Sequence, residues 1–263
     1  MAKKIKNISF IVVLVALALF ITACSNNQSG NNLGLVESGK LIMATSADFP
    51  PYEFWEGNEI VGIDAEVAAA IANKLGLELL IDDMDFDSII AAVVAGRADI
   101  GMAGMSVTED RLESVDFSTS YATGIQVIIV SEDSAIKSAD DLFEEGAFYT
   151  IGVQISTTGD IYTEELEEEG LATINRYRRG ADAIESLKTG RVDCVIIDNE
   201  PAKAFVNANP GLKILEQEFE NEDYAISLKK GNAALREAID KALGELITDG
   251  TVQRIVDKYI SAN

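Results

Sequence analysis

Two five-residue segments 94 positions apart, Ala95-Gly96-Arg97-Ala98-Asp99 and Thr189-Gly190-Arg191-Val192-Asp193, read almost alike. Each closes an amphipathic helical stretch with glycine and launches an apolar run, the pattern of a helix C-terminus leading into a buried strand. A unit of this kind repeated at that separation is what two similar α/β lobes would produce. The opening strands correspond as well, since Leu41 to Ser46 parallels Tyr149 to Gln154. Five residues beyond the two aspartates stand Gly104 and Asp198. In similar lobes these are equivalent strand ends, and both face one cleft.

The remaining elements fit this plan. After the strand at Leu41–Thr45 comes a loop, Ser46 to Phe54, dense in aromatics and stiffened by Pro50 and Pro51. Ile63, Val67, Ile71 and Leu75 recur every four residues and predict a helix that Gly76 ends, with Asp64 favouring its N-terminus. A strand at Leu77–Ile81 and a helix at Ser88–Ala95 lead to the first repeated segment, giving alternating strands and helices and hence a parallel sheet. Gly124 to Val130 reads as a further strand, Ser138 to Asp141 as a helix start, and a second α/β series begins near Phe148. Its acidic helix spans Asp160 to Glu169, and a helix at Glu200–Ala208 and a strand at Lys213–Leu215 follow. Glu222 to Lys229 is expected to cross back before two final helices, Ala233–Leu246 and Val252–Ile260. Two crossing strands make a hinge.

The N-terminus reads as a targeting segment. Lys3, Lys4 and Lys6 precede an apolar run from Phe10 to Ile21, too short for a comfortable span of about 20 residues, and Thr22-Ala23-Cys24 follows at once. Ser25 to Asn32, rich in Ser, Asn and Gly, is a flexible tether. Loss of the first 23 residues removes three lysines and no acids, moving the formal charge from −23 to −26. A nucleic-acid partner would be repelled. The chain has no histidine, which removes Ser-His and Cys-His catalysis and the commonest zinc ligand. With Cys24 processed, Cys194 has no partner and reads as a small buried hydrophobe. No metal and no cofactor is expected.

The stretch from Ala98 to Arg111 has the makings of a ligand cradle. Gly101, Ala103 and Gly104 leave the backbone bare, Ser106 adds a hydroxyl, and Thr108 caps a short helix whose first turn carries Arg111. Arginine grips a carboxylate through two parallel charge-assisted hydrogen bonds. In the second series, Ile155-Ser156-Thr157-Thr158-Gly159 opens a helix, where free amides and hydroxyls suit an anion.

With these residues in place the chain resembles the type II periplasmic binding proteins, and within them the amino-acid-binding lipoproteins of ABC importers, bacterial extracellular solute-binding protein family 3. The markers are Ser46-Ala47-Asp48-Phe49-Pro50-Pro51-Tyr52-Glu53-Phe54, Gly62 to Glu66, Met84-Asp85-Phe86, Ala103 to Arg111, Val115 to Ser118, Gln154 to Gly159 and Val195 to Asp198. Thr22-Ala23-Cys24 resembles a lipobox, in which the cysteine is lipidated. The resemblance implies an α/β fold of two similar Rossmann-like lobes joined by two crossing strands, with a ligand cleft between them. It implies a signal peptide at 1–23, a tether at 24–37, a first lobe from 38–128 and 222–263, and a second lobe at 129–221.

The resemblance also implies site residues. The α-carboxylate of an amino acid is expected against Arg111, with help from the Ser106 backbone and Thr158, and its α-ammonium against Asp198, the Gly104 carbonyl and Ser106. Phe49 and Phe86 are expected to sandwich the side chain, with Ser46, Tyr52, Met105, Gln154 and Thr157 completing the site. The charges then divide between the lobes, Arg111 from one and Asp198 from the other, so that ligand favours closure. Relatives that bind basic amino acids often carry an acid where this chain has Ser46; the neighbouring acids Asp48, Glu53 and Asp85 either compensate for it or are solvated or capping carboxylates, the reading favoured for each, and Gln154 suits an amide. The expected function is capture of a polar or cationic amino acid, such as glutamine, arginine or lysine, without catalysis. The expected partners are an ABC permease and the bacterial membrane, reached through lipid on Cys24, with the protein a monomer outside the cytoplasm. The alternatives are an enzyme on the same fold, resembling a cyclohexadienyl dehydratase, or a sensor acting through a separate protein.

Overall fold

The computed structural model describes residues 33–260 except 145, 147 and 217–220. The signal-peptide and lipidation expectations, and most of the tether, lie outside the described residues. Strand β1 (Lys40–Thr45) leads into three short strands, β2 (Asp48–Phe49), β3 (Glu53–Glu56) and β4 (Glu59–Val61), which form a sheet of their own. The expected loop from Ser46 to Phe54 is therefore partly strand. Its register sets Phe49 opposite Glu53 and Asp48 opposite Phe54, so one face carries both Phe49 and Glu53.

Helix α1 (Ile63–Leu75) buries Ile63, Val67 and Ile71 completely, as their four-residue spacing requires. Strand β5 (Glu78–Asp83), helix α2 (Phe86–Val94) and strand β6 (Ile100–Gly101) follow, then helix α3 (Glu109–Ser114) and strand β7 (Val115–Phe117). Strand β8 (Ala122–Ser131) leads toward the second α/β series. Where a helix start was expected at Ser138, there is one 3₁₀ turn, Asp140–Phe143. The Asp141 carboxylate accepts from the backbone amides of Lys137, at 2.6 Å, and Ser138, at 3.1 Å. Such side-chain bonding to the local backbone favours a turn over a helix.

The second series runs through β9 (Tyr149–Gln154), α4 (Thr158–Glu168), β10 (Ala172–Tyr177), α5 (Gly180–Lys188), β11 (Cys194–Asp198), α6 (Asn199–Ala208) and β12 (Leu212–Ile214). The expected return strand is split into β13 (Asn221–Tyr224) and β14 (Ser227–Lys229), before helices α7 (Ala233–Thr248) and α8 (Thr251–Tyr259).

The first sheet has the order β5-β1-β6-β14-β7 and the second β10-β9-β11-β8-β12. Both are mixed, which corrects the expectation of a parallel sheet: β14 runs against β6 and β7, and β8 against β11 and β12. A strand arriving from the other sheet runs opposite to strands launched by helices. The two crossing strands also pair with each other. Asn221–Tyr224 of β13 lies against Ile125–Ala122 of β8, and from Gln126 onward β8 pairs with β11 in the second sheet.

The repeated segments have one structural explanation. Gly96 and Gly190 both take φ of +69°, ending α2 and α5 alike. The Asp99 amide then donates to the Ile42 carbonyl at 2.8 Å, and that of Asp193 to Thr150 at 2.7 Å. Each carboxylate reaches back, Asp99 to the Ile42 amide at 2.8 Å and Asp193 to the Thr150 amide at 2.7 Å. In both lobes the aspartate clips the incoming chain to the first strand.

Candidate functional site

The strand ends converge on a small cavity. Ser46, Phe49, Phe86, Gly104, Ser106, Arg111, Gln154, Thr157, Thr158 and Asp198 line it, together with Glu53 and Ala103. Of the twelve residues expected at the site, Tyr52 and Met105 stand apart. Tyr52 packs beneath Phe49, with ring centroids 6.0 Å apart, and edge-on to Tyr224. Met105 is wholly buried in a cluster with Ile89 and Phe117, and supplies a carbonyl to the Ala225 amide. Both support the wall from behind.

Arg111 is held by its helix cap and by both lobes. Thr108 Oγ1 accepts the Arg111 amide at 3.2 Å. The guanidinium donates through Nη1 to the Ser106 carbonyl at 2.7 Å and through Nη2 to the Ser156 carbonyl at 2.9 Å, and it lies 5.4 Å over the Phe86 ring. Ser156 is left-handed, with φ of 64°, unusual for serine. Its amide donates to Asp160 at 2.9 Å, and Arg176 Nε holds the other Asp160 oxygen at 2.7 Å. This clamp aims the Ser156 carbonyl at Arg111. Burial pulls the guanidinium below its ordinary pKa, while Glu222 and Asp198 act in the opposite direction.

Asp198 ends β11 and begins α6 on the other side. Tyr224 donates its hydroxyl to Asp198 Oδ1. Burial, with the Glu222 charge added, pushes the Asp198 carboxyl up to about 7. Thr157 uses its hydroxyl as the cap of α4: it accepts the Asp160 amide at 3.4 Å and donates to the Gln154 carbonyl at 2.7 Å. Gln154 donates to the Arg178 carbonyl at 3.1 Å, and Ser46 to Asp48 at 3.1 Å.

At the aromatic end, Glu53 overturns its reading as a solvated or capping carboxylate. It is 0 % exposed, it lines the cavity, and its carboxyl shares a hydrogen bond with the Asp64 carboxylate. Burial and the adjacent Asp64 push its carboxyl well above the usual range. Asp64 is more than a helix-start residue: also 0 % exposed, it accepts from the Gly104 amide and the Tyr121 hydroxyl, both at 2.8 Å. Burial raises its carboxyl to about 6. Gly104 has φ of +52°, and a Cβ there would come 2.9 Å from the Phe49 ring. Of the other two acids, Asp85 pairs with Arg178 at 2.7 Å and Asp48 lies 3.9 Å from Arg179.

The site therefore offers one buried cation, two separated buried acids and two aromatic rings. It also holds no histidine that could shuttle protons. Among the described residues no cluster of three or more acids or cysteines is arranged to hold a metal. Cys194 is unpaired and buried.

Residues 41–262 match the model of the bacterial extracellular solute-binding proteins, family 3. The chain belongs to this family. Among family 3 relatives, the arginine-binding extracellular protein ArtP of Bacillus subtilis is 34 % identical over 255 residues, covering 95 % of this chain and 96 % of ArtP. An ancestral arginine-binding protein solved with arginine has 39 % identity and a TM-score of 0.80, covering 85 % of this chain and 99 % of its own. A second ancestral arginine-binding protein structure, bound to glutamine, has 38 % identity and a TM-score of 0.79, covering 86 % and 100 %. The two-lobed fold of this family 3 chain is that of type II periplasmic binding proteins.

Sequence reasoning missed Glu222, Gln126 and Tyr224, which lie just behind the cavity wall. Glu222 and Tyr224 are buried while their neighbours Asn221 and Asp223 are exposed. This period-two pattern is legible in the expected return strand. An acid at an inward position is the signal that could have found Glu222.

Proposed function

We propose that this family 3 protein captures free arginine as a zwitterion and delivers it to an ABC importer. In this reading the carboxylate meets Arg111 and Thr158, the ammonium meets Asp198 and Ser106, and the stem lies between Phe49 and Phe86. The observation that carries the choice of a cationic side chain is Glu53, a buried acid that lines the cavity with a second buried acid, Asp64, directly beside it. A guanidinium is the group best matched to a carboxylate, which it meets through two parallel charge-assisted hydrogen bonds, and two adjacent buried acids are costly to ionise until such a cation arrives. Glu53 supplies the acid that Ser46 lacks.

The protein then works by binding and release, with no catalytic group assigned. It is a monomer outside the cytoplasm, tied to the cell membrane by lipid on Cys24. Residues 38–128 and 222–263 form one lobe and 129–221 the other, with both boundaries on the crossing strands β8 and β13. The test is calorimetric titration of a soluble form beginning after Cys24, unfolded and refolded to strip co-purified amino acid, against all twenty amino acids. The expected result is tight binding led by arginine, weakened in Glu53→Gln. Tightest binding of a neutral amino acid overturns the assignment of arginine, and no response to any amino acid overturns the capture reading.

A further inference from the structure

From the cavity wall to the layer behind it, four buried polar side chains form a relay of hydrogen bonds with fixed donors and acceptors. Ser106 Oγ donates to Glu222 Oε2 at 2.6 Å. Gln126 Nε2 lies 3.4 Å from the same Glu222 oxygen and donates to Thr158 Oγ1 at 3.2 Å, and the Gln126 side chain also hydrogen-bonds the Asp198 carboxyl. Ser106 and Thr158 line the cavity, whereas Glu222 and Gln126 do not. All four are buried. Gln126 and Glu222 sit on β8 and β13, next to the antiparallel pairings Ile125 with Asn221 and Gly124 with Glu222. The relay thus lies on the paired crossing strands, and it reaches into the first half of the chain at Ser106 and into the second series at Thr158.

A hydroxyl has one proton to donate and two lone pairs to accept with. Ser106 has its proton on Glu222, so toward the cavity it presents lone pairs alone. Thr158 has a lone pair taken by the Gln126 amide, so its own proton is left for an acceptor in the cavity. A carboxylate only accepts, so the amide nitrogen of Gln126, and not its oxygen, turns toward Glu222 and Thr158. The remaining Glu222 oxygen, Oε1, has no hydrogen-bond partner among the described residues. Its charge adds to that of Asp198 at the ammonium corner.

We propose that Glu222 and Gln126 are positioning residues that set the hydrogen-bond polarity of Ser106 and Thr158, and so fix which end of the zwitterion each hydroxyl accepts. This rests on the capture reading above and deepens it: Arg111 and Asp198 supply the charges, and the relay makes the two hydroxyls agree with them. Removing Glu222 lets Ser106 turn its proton toward the cavity, where it suits an acceptor as well as a donor.

The test compares L-arginine with two analogues, one with hydroxyl in place of the α-ammonium and one with a carboxamide in place of the α-carboxylate. Dissociation constants are measured by calorimetry for the wild type, Glu222→Gln and Gln126→Leu, with melting curves to confirm folding. Glu222→Gln is expected to shrink the preference for arginine over the hydroxy acid by about tenfold or more, the scale of one charge-assisted hydrogen bond. Gln126→Leu is expected to shrink the preference for arginine over the amide, since Thr158 is then free to accept. Equal weakening of arginine and both analogues, with the ratios unchanged in whichever variant folds, assigns these residues a merely structural role and overturns the proposal. Failure of the wild type to bind arginine overturns the capture reading itself, and this inference with it. That outcome is distinct because it appears before any variant is made.

Discussion

In the proposed arginine site Arg111 and Glu53 carry opposite ends of the ligand, and their loss is expected to act in different ways. Arg111→Ala removes the cation facing the carboxylate and opens the contacts to the Ser106 and Ser156 carbonyls. Its expected cost in arginine affinity is roughly 2–5 kcal/mol by calorimetry, because a desolvated carboxylate loses its partner. Glu53→Gln leaves the zwitterion clamp intact and removes one charge from the buried aromatic end. Arginine affinity is expected to fall about 10- to 100-fold, with affinity for neutral amino acids little changed or improved. Equal losses for arginine and glutamine in that variant would show that Glu53 acts on the shape of the cavity and not on charge. Arg111 was legible in the sequence because Thr108-Glu109-Asp110-Arg111 is a local motif. Glu53 was legible only as one of three nearby acids, with Asp48 and Asp85; that it is the dry one depends on a strand pairing with Phe49 and on the approach of Asp64, 11 residues further on.

At the level of elements, the repeated aspartates tie each lobe's third strand to its first. Asp99 is buried and its carboxylate also accepts the Val36 amide at 2.7 Å, so two backbone amides depend on it, while Asp193 is exposed. Asp99→Ala leaves two amides without their acceptor, one of them in strand β1, and is expected to destabilise the fold by about 1–3 kcal/mol. Asp193→Ala is expected to cost less, about 1 kcal/mol, because water replaces the lost carboxylate. Chemical denaturation of both variants checks the order, and equal costs would refute the role given to burial. The echo of these segments was readable because helix end, glycine and strand start are consecutive in the chain. The mixed direction of the sheets was not, because nothing local to β8 or β14 records that each arrives from the other sheet.

For the whole molecule, the proposed capture is expected to be linked to protons through the acids around the cavity. Burial lifts Asp64 from 3.8 to about 6 and Asp198 from 3.8 to about 7, and holds Glu53 higher than its ordinary value. A carboxyl raised on folding contributes stability that is complete below its unfolded pKa, near 4, and is lost as pH rises through its folded value. Asp198→Asn removes one such group, so its melting temperature relative to wild type is expected to climb between pH 4 and pH 8; a difference independent of pH would refute the shift. Arginine brings an ammonium to Asp198 and a guanidinium to Glu53, and both favour the charged carboxylates. Titration at pH 6 in buffers of different ionisation heat is expected to show protons released on binding, and a buffer-independent heat would count against this linkage. The sequence by itself determined the two α/β series, the capped Arg111, the strand end at Asp198 and the absence of histidine, since each is written in consecutive residues. Only the tertiary structure decided that Glu53 is dry, that Asp64 and Glu222 stand behind the site, and that β8 and β13 pair. Those facts depend on desolvation and distance between segments far apart in the chain, which no local pattern encodes.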